Sequence, residues 1–310
     1  MAGPLIIDVT RGEHIESRHR VDVVAVDADG SIVWWRGDGR RPTLPRSAIK
    51  PVQALPVARV EDDPVRLALA ASSHNGEPEH VAPLRAWLAA LGLDESALLC
   101  GPHPPMHRAS ADRLAAAGDT PGPIHSDCSG KHVGFLAVCL AHGLDIAGYL
   151  APDHPLQRDH VSPAITAQCG VDLGDQTPGV DGCGIPVWTM PLDRLAAGWA
   201  SLPGHPDGAK VIAAMAAHPH LVAGTDRPGT RMIETGGGRV VAKSGAEGVY
   251  CGIDRDSGVA IAVKAQDGAG RAAAIAGEWA LAELGALPAP APTPVTNWAG
   301  THVGEIRVVA

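Results

Sequence analysis

The chain is poor in lysine and in aromatic residues, and both shortages carry information. Of its 25 basic residues among 310, five are Lys and twenty are Arg. Arg cannot lose its proton near neutral pH, whereas a desolvated Lys can. A lysine kept against such a bias is a candidate for work that needs a neutral amine. Three of the five lie in short motifs: Lys50 in Ser47-Ala-Ile-Lys50, Lys131 in Cys128-Ser-Gly-Lys131, and Lys243 in Lys243-Ser-Gly245. Aromatics are only 3% of the chain, so the core must be aliphatic and packed with Ala.

Other absences exclude whole classes of function. There is no basic run and the net charge is −9, which argues against nucleic acid and anionic membrane as partners. No stretch approaches the roughly 18 apolar residues of a spanning helix. The N-terminus lacks a basic segment followed by an apolar one, so no signal peptide is expected. The six cysteines (Cys100, Cys128, Cys139, Cys169, Cys183 and Cys251) show no disulfide-scaffold spacing. Reduced thiols or metal ligands, and a cytoplasmic location, are the expectation.

Strand signals open and close the chain. Residues 19–27 and 31–35 read as strands around an Asp29-Gly30 hairpin turn. Residues 82–91, 129–141, 156–168 and 208–217 have helical spacing, separated by Pro, Gly and His clusters. Three short β-rich runs follow at 239–243, 248–253 and 259–265, then an Ala-rich helix at 269–285, a Pro-rich tether at 288–294 and a last strand at 303–309. The predicted class is α/β of the α+β kind: one antiparallel sheet from both termini, flanked by helices, with a helical subdomain inserted. A single domain over 1–310 is expected, with a sheet lobe at about 1–46 and 235–310 and a mainly helical lobe at about 47–234.

Ser47-x-x-Lys50 puts a hydroxyl and an amine one helical turn apart, able to share a face. Pro51 fits only in a first turn, which places Ser47 at a helix start. For Lys50 to act as a base it must be neutral. Lowering an ordinary lysine from about 10.4 to about 7 requires burial, helped by a second cation such as Lys243. Ser73-His74-Asn75 has the S-x-N form, with Ser72 as a competitor, and Lys243-Ser244-Gly245 has the K-T/S-G form. SxxK, SxN and KTG in this order are the active-site set of penicillin-recognising hydrolases.

Cys128-x-x-Lys131 has the spacing of a thiolate metal half-site with an amine in place of one thiolate. Asp181-Gly182-Cys183-Gly184 offers a second thiolate on a turn. Zinc takes such N and S ligands, and three protein ligands leave a position open. The Gly236–Gly238 run precedes a strand and reads as a hairpin turn, not a phosphate cradle. Lys264 to Gly268, at the end of the next strand, reads as a turn, with an active-site edge as the alternative.

Together, Arg46-Ser47-Ala-Ile-Lys50-Pro51, Ser73-His74-Asn75-Gly76-Glu77, Cys128-Ser-Gly-Lys131-His132, Val180-Asp181-Gly182-Cys183-Gly184 and Lys243-Ser-Gly-Ala-Glu-Gly248 resemble the L-asparaginase II family, the serine–lysine, zinc-bearing type. The resemblance implies a serine β-lactamase-like fold and an amidohydrolase acting on L-asparagine. It implies two Ser–Lys tandems, Ser47 with Lys50 and Ser73 with Lys243. It also implies one zinc per chain on Cys128, Lys131 and Cys183, and a homodimer. Arg46, Asn75, His132 and Asp181 are then the substrate-binding candidates, Asp181 for an α-ammonium and Arg46 for an α-carboxylate. The rivals are a glutaminase or other serine amidohydrolase, and a noncatalytic zinc-dependent amino-acid sensor. A sensor has no need of low-pKa amines.

Overall fold

The computed structural model describes residues 3–309. Its frame is an eight-stranded antiparallel sheet. The N-terminal segment supplies β1 (Leu5–Arg11), β2 (His14–Val26) and β3 (Ile32–Arg36). The C-terminal segment supplies β4 (Val240–Gly245), β5 (Val249–Asp254), β6 (Ala260–Ala265), β7 (Thr293–Thr296) and β8 (His302–Val309). The spatial order is β7-β8-β1-β2-β6-β5-β4, with β3 beside β2 as well. The two ends of the chain meet where Ala260 of β6 pairs with Val26 of β2 and Ile6 of β1 pairs with Val309 of β8.

β2 runs apolar because both of its faces are covered. Val23 and Ala25 face one core, and Val24 and Val26 the other. Four helices define the surroundings of the sheet: α1 (Ser129–Ala141), α2 (Leu192–Ala200), α3 (Pro228–Thr235) and α4 (Gly270–Glu283). α4 lies on the first face and buries Ala272, Ala273, Ala276 and Ala280, whose small side chains let the helix sit close to the strands. α2 covers the other face, and the remaining helices of the middle segment pack behind it. Among the described residues no helix is long and apolar enough to cross a membrane.

Some elements differ from the sequence expectation. β1 was not anticipated, and β2 begins at His14, not near residue 19. Its first half, His14 to Arg20, is mostly exposed and polar, so no apolar alternation marks it. The helix expected at 156–168 is composite: a π-type turn over Leu156–Val161 leads into α-helix over Ser162–Cys169. The Pro-rich tether ends in a strand, β7, where Pro294 sits at the sheet edge and owes no N–H to a neighbour.

Candidate active site

The site forms where the free edge of β4 meets a tight turn. Residues Arg46–Ile49 make a 3-10 turn that continues as helix from Lys50, with Pro51 in the first turn. Ser47 therefore starts a helical segment and Lys50 follows one turn later. Arg46 holds φ +50°, a left-handed conformation uncommon outside glycine. α2 anchors the turn through the Trp199 Nε1 hydrogen bond to the Ala48 carbonyl at 2.9 Å. Gly245 at the end of β4 makes the approach possible. A Cβ there would lie 2.8 Å from the Pro45 carbonyl oxygen and 3.1 Å from the Ala48 nitrogen.

Ser73 sits between two buried amines. Lys50 Nζ donates to Ser73 Oγ at 2.9 Å, to the Ser72 carbonyl at 2.5 Å and to the Asp127 carbonyl at 3.4 Å. Lys243 Nζ lies 2.7 Å from Ser73 Oγ and 2.7 Å from the Ser244 carbonyl. Both lysines are 1% exposed. Burial and then the charge of Lys50 drive the Lys243 amine well below its ordinary value. Lys50 meets three acceptors, matching the three donors of an ammonium. Of the two tandems read from sequence, Ser73–Lys243 is a direct hydrogen bond, while the hydroxyl bonded to Lys50 is that of Ser73. Ser72 turns away and donates to the Leu69 carbonyl at 2.7 Å.

A cavity of about 420 Å³ opens over these groups, lined by Ser47, Ser73, Ser244 and Asp127 among others. Asp127 was not singled out from the sequence, although it directly precedes Cys128. Burial acts to raise its carboxyl, but nearby positive charge, that of Lys50 foremost, outweighs burial and holds it at about 2. A larger hollow of about 710 Å³ surrounds Asp22 and Trp35 and contains none of the motif residues.

Cys128, Lys131 and Cys183 converge on one wall. Cys128 and Cys183 line the cavity, and Lys131 Nζ donates to Cys183 Sγ at 3.0 Å. A hydrogen bond from Cys128, aided by the Lys131 charge, pushes the Cys183 thiol down to about 5 against the effect of burial. The same contact and burial push the Cys128 thiol up. Two cysteine sulfurs and the Lys131 nitrogen meet in a buried pocket, where the cysteines outweigh burial and hold Lys131 as an ammonium. Once metal displaces that proton, the three would form a sulfur–nitrogen donor set of the kind zinc takes.

Arg46 and Asp181 also line the cavity, but Arg46 Nε donates to Asp181 Oδ1 at 2.7 Å, so each neutralises the other. Two expected substrate residues lie behind the wall. Asn75 is buried, and its amide bonds to Glu77 and the Thr225 carbonyl. His132 is fully buried, with Nδ1 2.7 Å from the Tyr149 hydroxyl. Arg227, which no motif flagged, reaches the cavity instead.

A second cluster, Glu77, His80 and His220, brings ligand-type atoms within 4.8 Å of one another. Its atoms are largely committed. His80 Nδ1 accepts from the Glu77 N–H at 3.2 Å, and Nε2 donates to the His220 carbonyl at 3.0 Å. Burial acts to raise the Glu77 carboxyl, but hydrogen bonds from Asn75 and Thr225 outweigh it and leave Glu77 below the ordinary range. A metal here would displace these bonds, so the cluster reads first as a hydrogen-bonded brace.

A family model described as L-asparaginase II matches residues 7–308. No curated protein matches the chain. Similar solved structures include a β-lactamase from Mycobacterium bovis, 17% identical over 85% of this chain and 94% of that one, with a TM-score of 0.43. A simvastatin synthase mutant from Aspergillus terreus is 13% identical over 79% of this chain and 84% of that one, with a TM-score of 0.35. At those scores neither likeness bears on function.

Proposed function

The chain belongs to the L-asparaginase II family, and on that premise we propose that it cleaves the side-chain amide of L-asparagine to L-aspartate and ammonia through a serine acyl-enzyme. The whole chain acts as one such unit. The observation that carries the mechanism is Ser73 Oγ held between Lys50 and Lys243 at 2.9 and 2.7 Å. Two amines around one hydroxyl can share one excess proton, which the hydroxyl passes between them.

In the resting state that proton sits on Lys50, and Lys243 is neutral. Lys50 hands a proton to Ser73 as Ser73 gives its own to Lys243, which leaves Lys50 free to act as a base. Ser47 then attacks the carboxamide carbon and its proton goes to Lys50. As the C–N bond breaks, the nitrogen takes the Ser73 proton, which Lys243 replaces, and ammonia leaves. In the second half, water attacks the aspartyl ester and its proton passes through Ser73 to Lys243. Lys50 reprotonates Ser47, and a last shift through Ser73 restores the start. Backbone N–H groups of the turn and the β4 edge are the donors for the oxyanion.

Cys128, Lys131 and Cys183 would hold a zinc ion. Bound zinc supplies a Lewis acid that orients the substrate, since a covalent nucleophile is already present. The residues' own part is to offer a thiolate on the cavity wall, beside the Arg46–Asp181 pair.

A second reading makes Ser73 the nucleophile. It is favoured by the same fact that both lysines bond Ser73. Trapping with an electrophilic asparagine analogue, followed by intact mass and peptide mapping, separates the two. One adduct on Ser47 is expected, because Ser47 lines the cavity and its hydroxyl is not among the hydrogen-bond partners of either lysine. An adduct on Ser73 reverses the roles.

A further inference from the structure

The three arginines of the cavity are not equivalent. Arg46 is committed to Asp181. Arg271 is exposed at the rim and donates to Ser17 Oγ at 3.1 Å. Arg227 is half-buried, and among the described residues its guanidinium hydrogen-bonds only to Asn75 Oδ1 at 3.3 Å and the Met106 sulfur at 3.5 Å. A thioether is a weak acceptor, and a guanidinium carries five N–H donors. Most of that donor capacity is open to the cavity.

The loop before α3 is built to hold this side chain. Gly224 takes φ +118°, and a Cβ there would lie 2.6 Å from Asn75 Nδ2 and 2.7 Å from Glu77 Oε1. Glu77 accepts from the Thr225 N–H at 2.9 Å, from Thr225 Oγ1 at 2.9 Å and from Asn75 Nδ2 at 2.7 Å. Asn75 Nδ2 also donates to the Thr225 carbonyl at 2.9 Å. Both amide hydrogens of Asn75 are used, which leaves its Oδ1 aimed at Arg227. Fixed donors on a braced loop are what precise ligand placement requires.

We infer that Arg227 takes the α-carboxylate of the amino-acid amide substrate, with Asn75 and Glu77 as positioning residues behind it. The inference rests on the amidohydrolase reading above and moves the carboxylate contact from Arg46, whose charge Asp181 already meets, to Arg227. A planar fork pairs with a carboxylate through two parallel hydrogen bonds, which an ammonium cannot reproduce.

The test compares kcat/KM for L-asparagine and for β-alaninamide, which is asparagine without its carboxylate, in wild type, Arg227→Gln and Arg227→Lys. Arg227→Gln should lower the asparagine value about 10- to 150-fold, the range for losing a charged hydrogen-bond donor, and leave β-alaninamide within about twofold. Arg227→Lys should fall in between. Equal losses on both compounds would mean a merely structural role, and no loss on asparagine would mean no contact. Either outcome overturns the inference. If wild type hydrolyses neither compound, the amidohydrolase reading has failed and calorimetric binding of the same pair decides for Arg227. Asparagine binding abolished by Arg227→Gln then upholds the anchor, and absent or unaffected binding overturns it.

Discussion

At the scale of single residues, catalysis depends on where one proton sits. Lys243 is pressed toward its neutral form by burial and by Lys50. A base works when unprotonated, so kcat/KM should rise with pH as Lys243 loses its proton, with a midpoint well below 10.5. Lys243→Met should cost roughly 10²–10⁴-fold, the range for removing a general acid–base group, and erase that rising limb. A Lys243→Met enzyme with the wild-type profile would place the titrating group elsewhere. The sequence named Lys50, Ser73 and Lys243 because few lysines compete for attention in this chain. It did not show that Ser73 would bond Lys50 as well as Lys243, because spacing along a helix says nothing about which hydroxyl from another segment comes close. Asn75 shows the same limit. The S-x-N pattern locates it beside Ser73, but whether its amide faces the cavity or Glu77 depends on a loop 150 residues away.

At the scale of elements, the decisive contact is the β4 edge against the turn that carries Ser47. Gly245→Ala puts a Cβ 2.8 Å from the Pro45 carbonyl oxygen, and backbone cannot yield as a side-chain tip can. Overpacking of this kind costs about 1–3 kcal/mol. The strain falls on the turn, so activity should drop about 5- to 150-fold while circular dichroism stays native, at about 1.4 kcal/mol for each factor of ten. Unchanged activity would show that the approach is not tight. α1 was legible because its apolar spacing is sustained over 13 residues. α3 was not, since Arg227-Pro-Gly-Thr opens like a turn and the helix is only 8 residues long. β4, β5 and β6 were legible as short β-rich runs between turn residues.

At the scale of the molecule, both chain ends are built into one sheet, and buried carboxylates help to fasten it. Asp254 ends β5, is fully buried, and takes two hydrogen bonds from Arg239 at 2.7 and 2.8 Å. Those bonds hold its carboxyl at about 2, below its ordinary 3.8. A depressed carboxyl contributes stability above the unfolded value and loses it as pH falls toward the folded one. Asp254 should therefore contribute about 1–2 kcal/mol at neutral pH, after allowance for screening of the partly exposed Arg239, and lose it between about pH 4 and pH 2. Asp254→Asn should lower the melting temperature at pH 7 and flatten its fall over that acid range. An unchanged acid profile would remove Asp254 from the account. This bracketing of a helical middle by strands from both ends was readable in advance, because the texture of the sequence changes near residue 235. β1 was not, since its hairpin partner is the polar, mostly exposed first half of β2, which carries no strand signal of its own.

The central claim is tested most directly by ammonia release, followed side by side with L-asparagine and L-glutamine in wild type and Ser47→Ala. One methylene separates the two substrates, and a pocket resolves that by about 10–200-fold. The account predicts a kcat/KM preference for asparagine in that range, with Ser47→Ala nearly inactive on both. Glutamine turned over equally well or better, or a Ser47→Ala enzyme that still releases ammonia from asparagine at the wild-type rate, would contradict it.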